Sequence, residues 1–225
     1  MRMWKINILY IFLCLALTAC AGPRFKLDEG ARGKLSEMPG QIDVRIDGRD
    51  GYWHYAIVNG ELLLHKSIEG HVPGRLEKQP YIRFRKEVPS WLPKIRGFEY
   101  YGPYRLSPDS SLMFLSLSSE EEQFYHPYFV IIQTEKKEAI FQGRSNNQIE
   151  DIAWSPDSNM FAVLDKSSRW SFGITGILFY VLAHPIDVGK VYLSIYDWKG
   201  NLLVRTKVAS GVLVGDGRVS WQGKK

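Results

Sequence analysis

From residue 41 onward, apolar and polar residues alternate with a period of two, which predicts strands rather than helices. Between 42 and 46, three apolar residues alternate with charged ones, and an aromatic and β-branched run follows over 52–58. Asn59-Gly60 separates this run from an apolar return at 61–66, and 81–85 alternates again. Because both positions of an Asn-Gly turn tolerate positive φ, the dipeptide predicts a tight hairpin. The pattern is typical of a meander of short antiparallel strands.

The N-terminal residues follow a different pattern. Two basic residues precede a mostly apolar run from Ile6 to Leu17, which is too short for a bilayer span of ~20 residues. Such a run, followed by small residues, is typical of the helix of an export signal. Leu17-Thr18-Ala19-Cys20 resembles the lipobox of bacterial lipoprotein signal peptides. The resemblance implies cleavage before Cys20, attachment of fatty acids such as palmitate to its thiol and amine, and export. Ala21, rather than Asp, implies the periplasmic face of an outer membrane.

Processing divides the chain into a signal peptide at 1–19, an acylated segment at 20–40 and a domain at 41–225. Removing 1–19 from the 225 residues leaves 206, and the formal charge falls from +5 to +3 because two basic residues leave. The segment 20–40 is rich in Gly, Pro and charge without an apolar period, which predicts a flexible tether of ~25 Å root-mean-square length. Packing of part of it as an irregular arm is the alternative. Cys14 is removed and Cys20 is acylated, so no disulfide is expected.

One motif occurs twice, 48 residues apart, as Ser107-Pro108-Asp109-Ser110 and Ser155-Pro156-Asp157-Ser158. Each copy lies between apolar stretches and predicts a tight turn between buried strands, because Pro fixes φ and Asp accepts hydrogen bonds from nearby amides. Two further strand-like runs follow each copy. Four strands repeating at about 45 residues are typical of a β-propeller blade. The two repeats lie near 100–150 and 151–208.

These repeats resemble those of TolB-type bacterial propellers, in which a strand ending in Trp-Ser-Pro-Asp-Gly precedes a buried strand. Trp154-Ser155-Pro156-Asp157 fits this pattern, whereas the first copy has Leu106 in place of Trp. Both copies have Ser in place of Gly, at Ser110 and Ser158. The resemblance implies an all-β fold with a partial or diverged propeller of antiparallel sheets, because only two repeats carry the motif. A β-sandwich is the alternative. The resemblance brings no activity with it, since fold alone does not determine function.

The sequence predicts no catalytic centre, cofactor or metal ion. Its histidines lack metal-ligand spacing, and no cysteine remains as a soft ligand. No Gly-x-Ser-x-Gly nucleophile motif occurs, and Gly211–Gly217 lacks the Lys-Ser/Thr of a phosphate loop. Asp109 and Asp157 belong to the turn motif, which favours structural hydrogen bonding over acid–base work.

An aromatic cluster at Phe98, Tyr100, Tyr101 and Tyr104 is one candidate surface for a partner, with the three tyrosines as its predicted site residues. Aromatic rings stack on sugar rings and on peptide side chains, and Gly102-Pro103 interrupts the cluster as a loop or bulge would. Tyr is also a favoured strand residue, so packing within a sheet is the alternative.

A basic stretch between residues 75 and 96, which includes Arg83 and Arg85, is a second candidate surface. It would meet phosphate groups on a membrane and add to the acyl anchor. The alternative is a solvated loop together with an edge strand whose charged side chains prevent pairing with another chain. The apolar stretch 174–183 is too short to span a bilayer and predicts a buried strand, with a loop that touches lipid or a partner as the alternative.

Together these features predict a monomeric, membrane-anchored envelope lipoprotein that binds another envelope protein as a scaffold module. An envelope enzyme acting on cell-wall or sugar substrates, with a site of scattered residues, is one alternative. An inhibitor of an exported enzyme is another. The export signal argues against nucleic acid as a partner.

Overall fold

The computed structural model describes residues 24–48, 51–66, 91–92, 95, 97–119, 127–169, 188–212 and 217–223. Within these ranges the chain forms strands and one helix. The elements are β1 (Arg24–Phe25), α1 (Glu29–Ser36), β2 (Gln41–Gly48), β3 (Gly51–Val58), β4 (Glu61–Lys66), β5 (Phe98–Leu106), β6 (Leu112–Ser119), β7 (Tyr128–Gln133), β8 (Glu138–Arg144), β9 (Gln148–Trp154), β10 (Met160–Arg169), β11 (Val188–Asp197), β12 (Leu202–Val212) and β13 (Gly217–Gln222).

The strands form three antiparallel sheets, each built on four strands. β5 to β8 follow one another as a meander, and so do β9 to β12, with β1 added outside β12. The third sheet has the order β13-β2-β3-β4, so a strand near the C-terminus completes a sheet that begins near the N-terminus. The all-β prediction is confirmed, and the two meanders coincide with the two predicted repeats. The strands predicted near 42–46, 52–58 and 61–66 are β2, β3 and β4.

Two hydrophobic cores cover the two faces of the β9–β12 sheet, which is therefore the middle layer. One core is shared with the β13-β2-β3-β4 sheet and with α1, and it includes Val44, Tyr55, Leu164 and Leu193. The other is shared with the β5–β8 sheet and is rich in aromatic rings. In that second core the Phe114 ring lies 5.1 Å from Phe129 and 5.7 Å from Phe161, between centroids. Burial of this apolar surface, worth roughly 25 cal/mol per Å², holds the layers together.

Residues 24–40 pack against the body, so the predicted flexible tether is wrong for this part of the chain. β1 pairs with β12, and α1 buries Ala31 and Leu35 in the first core. The helix is hard to recognise from sequence because it has eight residues and two glycines, Gly30 and Gly33, which disfavour helix. Its buried side is a single apolar pair spaced four residues apart.

Short turns join the strands at one end of the sheets, which we call the turn end. They comprise residues 59–60, 107–111, 134–137, 155–159 and 197–201. Neighbouring turns touch: the Asp109 amide donates to Ser158 Oγ at 3.3 Å, and the Trp198 amide donates to the Asn159 carbonyl at 2.9 Å.

The other connections, including the long ones that follow β4, β6 and β10, leave from the opposite end, which we call the connection end. It is defined by the last residues of β4, β6, β10 and β12, which are Lys66, Ser119, Arg169 and Val212. The strand predicted at 81–85 and the apolar stretch 174–183 lie outside the described residues.

Candidate functional site

The predicted aromatic surface lies on β5. Tyr100 pairs with Leu117 and Tyr104 pairs with Leu115, so the residues between the two tyrosines, Tyr101 included, leave the ladder as a bulge. A bulge accommodates Pro103, which cannot donate a ladder hydrogen bond. The Tyr104 side chain is 37% exposed. The other predicted site residues, Cys20, Arg83 and Arg85, lie outside the described residues.

Tyr104 and Leu106 form an exposed apolar strip, which we call the β5 strip. They are two residues apart and therefore lie on one face of the strand. Leu106 is 49% exposed. Their ladder partners, Leu115 and Met113, are buried in a third apolar cluster on that face of the β5–β8 sheet. The β5 strip thus borders a packed apolar surface and sits next to the turn end.

In the first copy of the repeated motif, Asp109 is the hydrogen-bonding centre of the turn. It accepts from the Ser107 hydroxyl at 2.6 Å, from the Ser111 amide at 3.1 Å and from the Ser111 hydroxyl at 2.8 Å. The Ser107 hydroxyl, followed by the Ser111 amide and hydroxyl, holds the pKa of Asp109 below its usual range, at about 2. Asp109 is therefore a structural anion rather than a proton donor.

The second copy repeats this geometry around Asp157. Asp157 accepts from the Ser155 hydroxyl at 2.6 Å and from the Asn159 amide at 3.2 Å. The Ser155 hydroxyl is the main cause that lowers the pKa of Asp157. Both aspartates thus accept from the first Ser hydroxyl and from the amide two residues further on, which supports structural hydrogen bonding as the role of both carboxylates.

The last Ser of each motif adopts the left-handed conformation. Ser110 has a φ of 60° and Ser158 a φ of 61°. This conformation costs L-residues roughly 1–2 kcal/mol and costs glycine almost nothing. The backbone therefore explains why the family pattern has Gly where this chain has Ser.

A third turn built around an aspartate joins β11 to β12. The sequence predicts a turn at 199–201, between two strand-like runs, but not the role of Asp197 in it. Asp197 accepts from the Asn201 amide at 2.8 Å and from the Asn201 side-chain amide at 2.7 Å. Gly200 supplies the positive φ, at 88°. The sequence signal was an Asp followed three and four residues later by Gly and Asn.

Polar side chains lie where β5, β9 and β13 meet, and we call them the junction cluster: Arg105, Glu150 and Asp151. The Arg105 guanidinium lies 3.1 Å from Asp151, and the Val219 amide donates to the same carboxylate at 3.1 Å. The Gly217 amide donates to Glu150 at 3.5 Å. Burial raises the pKa of Asp151, although the charge of Arg105 acts in the opposite direction. The cluster links one strand from each sheet.

A second buried ion pair lies within the β9–β12 sheet. Arg205 makes a bidentate contact with Asp165, with both N–O distances at 2.9 Å. Asn147 also donates to Asp165, and the Arg205 guanidinium donates to Ser194 Oγ at 2.8 Å. The guanidinium carbon lies 4.7 Å from the centre of the Tyr192 ring. Neither ion pair was visible in the sequence, because their members are far apart along the chain.

The contacts of Asp43 are also structural. Asp43 accepts from Gln41 at 2.7 Å and from Gln222 at 3.0 Å, and it lies 3.3 Å from His54 Nε2. Over the ranges given above, no group of three or more His, Cys, Asp or Glu side chains could hold a metal ion. Within the same ranges, no helix has the length and apolar character needed to cross a membrane.

Comparison with known proteins assigns no family. No protein-family model matches the chain, and no curated protein matches it. Among solved structures, one match comes from work described as "Structural and Mechanistic Analysis of Two Prolyl Endopeptidases: Role of Inter-Domain Dynamics in Catalysis and Specificity". It is 11% identical, has a TM-score of 0.28, and covers 87% of this chain. This chain spans 32% of the length of that protein. A likeness at this level carries no conclusion about activity.

Proposed function

We propose that this protein is a monomeric envelope lipoprotein, anchored through an acylated Cys20, whose all-β body binds another envelope protein. The observation that carries the proposal is the segment Leu17-Thr18-Ala19-Cys20, placed directly after a basic and then apolar N-terminus. Lipid modification of that cysteine would hold the body at the membrane, since two or more acyl chains give stable anchoring. Ala21 favours the outer membrane, facing the periplasm.

Binding is favoured over catalysis by the way the acidic side chains are used. Asp109 and Asp157 hold turns together, while Asp151 and Asp165 are paired with arginines. A general acid or base needs a group that can exchange a proton with substrate. These four carboxylates are instead committed to the fold.

The β5 strip offers the partner a contact surface. Exposed aromatic and aliphatic side chains beside a packed core are typical of the centre of a protein interface. Tyr104 and Leu106 have this character, and Tyr100 and Tyr101 belong to the same strand.

Metabolic labelling with a fatty-acid probe tests the anchor. The wild type should take up label and float with membranes, and Cys20→Ala should do neither. Cys14→Ala is the matched control, because Cys14 is the only other cysteine and lies in the removed segment. It should label like the wild type. An unlabelled wild type, or equal labelling of Cys20→Ala, would refute the lipoprotein assignment.

Site-specific photo-crosslinking in the native host tests the binding role. A photoreactive amino acid at Leu106 should give one covalent adduct of defined mass. Leu63, on β4, is the matched control, because it is also an exposed leucine, at 46% against 49% for Leu106. Adducts of the same mass and yield at both positions, or none at either, would contradict a specific partner surface on β5.

A further inference from the structure

The segment that carries the anchor is tied directly to the middle sheet. β1 is hydrogen-bonded to β12, with Arg24 opposite Ser210. Asp28 adds contacts further along: its amide donates to Thr206 Oγ1 at 3.2 Å, and its carboxylate accepts from the Lys207 amide at 3.3 Å. The described chain is therefore tied to the middle sheet from Arg24 onward.

Only a short piece of chain remains between the anchor and the body. The Cα atoms of Cys20 and Arg24 are four residues apart, so they can be separated by at most about 14 Å, at ~3.5 Å per residue. A flexible tether of the length expected from sequence would allow any orientation. A segment this short restricts the body to those orientations that bring Arg24 close to the lipid surface.

The strand direction fixes which end approaches the lipid. β1 is antiparallel to β12, so the chain traced backwards from Arg24 runs in the direction of Val212. Val212 lies at the connection end. The chain therefore enters β1 from the connection end.

We propose that the connection end faces the bilayer and that the turn end points away from it; this rests on the acylation of Cys20 proposed above. Lys190 is a described basic residue near this end of β11. It is exposed and pairs with Ser210, which also pairs with Arg24, so all three share one row across β11, β12 and β1. With strands ~4.8 Å apart, the Cα of Lys190 lies about 10 Å from that of Arg24.

Basic character at this end fits an anionic lipid surface. Lys190 and Arg144 are both exposed and lie close to strand termini at the connection end. Basic side chains beside an anionic leaflet strengthen membrane binding. The three aspartates that organise turns, Asp109, Asp157 and Asp197, lie at the opposite end. Lys136, Lys137 and Lys199 are also exposed but lie in turns at that opposite end, so the direction rests on β1 and the anchor rather than on charge.

Lys199 provides a matched position at the turn end. It is exposed like Lys190 and follows the same strand, nine residues further along. At ~3.3 Å per residue, β11 spans about 23 Å from Lys190 to Asp197, and Lys199 lies in the turn beyond it. That distance is several times the reach of a headgroup contact, so the two positions separate the two orientations clearly.

The test measures depth with single cysteines in the lipidated protein. The mature chain has no other thiol once Cys20 is acylated, so Lys190→Cys and Lys199→Cys can each be labelled with one fluorophore. The proteins are reconstituted into phosphatidylethanolamine and phosphatidylglycerol vesicles that contain a nitroxide headgroup lipid. We expect the label at position 190 to lose most of its fluorescence and the label at position 199 to keep most of it.

A linker variant tests the role of the short segment. Twenty Gly and Ser residues inserted after Pro23 would span ~25 Å and should relieve quenching at position 190 while flotation persists. Quenching at position 190 that is unchanged by the linker would overturn the inference that the short segment sets the orientation.

The outcomes separate this inference from the anchor itself. A protein that floats with vesicles but is quenched equally at both positions, at neither, or more strongly at 199, overturns the orientation and leaves the lipoprotein assignment intact. A protein that takes up no fatty acid and does not float removes the anchor, and the orientation with it.

Discussion

Arg205→Ala should be among the most destabilising single changes in the body. Asp165 is 0% exposed, and Arg205 supplies two of its hydrogen bonds. Without the guanidinium, a carboxylate with no access to water keeps the Asn147 amide but loses its counter-charge. Breaking a buried pair from one side costs about 3–5 kcal/mol of unfolding free energy.

Replacing Asp165, the other member of this ion pair, should lower the free energy of unfolding by less. In Asp165→Ala the guanidinium keeps its contacts with Ser194 and Tyr192, and the Arg205 side chain is 23% exposed. Water can therefore replace part of what the carboxylate supplied, so the expected loss is about 1–3 kcal/mol. A double variant with leucine at both positions should recover much of the loss, because apolar replacement of a whole buried pair is often neutral.

Urea unfolding of the mature chain, followed by tryptophan fluorescence, measures these free energies. Arg144→Ala is the control: Arg144 is exposed and lies 5.0 Å from the centre of the Tyr128 ring, so its loss should cost ~0.5–1 kcal/mol. The reasoning fails if Arg205→Ala stays within about 1 kcal/mol of the wild type, or if Asp165→Ala is the costlier change.

Three further predictions concern turns. Ser110→Gly should raise the unfolding free energy by ~0.5–1 kcal/mol, because relief of positive φ exceeds the entropy of a freer unfolded chain. Ser158→Gly should raise the unfolding free energy by less, because this change also removes the hydrogen bond from the Asp109 amide. A higher urea midpoint for Ser158→Gly than for Ser110→Gly would contradict this. The lowered pKa of Asp109 means that its stabilising contribution is present above pH 3.8 and is lost as the pH falls to about 2. Asp109→Asn should therefore flatten thermal stability across that acid window, and an unchanged slope would count against the turn assignment. Gly200→Ala should cost about 1–3 kcal/mol more than Gly97→Ala in urea unfolding. Both glycines have positive φ, but a Cβ at 200 would lie 2.4 Å from an aromatic ring of the neighbouring sheet, whereas at 97 nothing lies within 4 Å. Equal costs would show that the ring moves aside.

Local chemistry made the repeats predictable. The Ser-Pro-Asp-Ser motif contains within four residues all that its turn needs: a fixed φ, an acceptor and a hydroxyl donor. Asn59-Gly60 made the β3–β4 hairpin predictable in the same way, because both residues have the positive φ that such a turn needs. Strands beside such turns follow from alternation, because the side-chain period of a strand is two.

Long-range pairing could not be predicted in the same way. β13 pairs with β2 in a register of Trp221 opposite Ile42, across most of the chain. Alternation at 219–221 indicates a strand but not its partner. The ion pairs Arg105–Asp151 and Arg205–Asp165 join residues 46 and 40 positions apart, and only the stacked sheets bring them together.

The composition of the N-terminal segment did not predict that β1 and α1 pack against the sheets. Charge and glycine across residues 20–40 suggested a coil, yet α1 packs Ala31 and Leu35 into the first core and β1 pairs with β12 beside it. The segment that follows the proposed anchor is consequently joined to the middle sheet. Under the anchoring proposed above, pulling the body away from the membrane would have to separate β1 from β12 before it lengthened the tether. The contacts that stabilise the sheet would then also set how the body is presented to a partner.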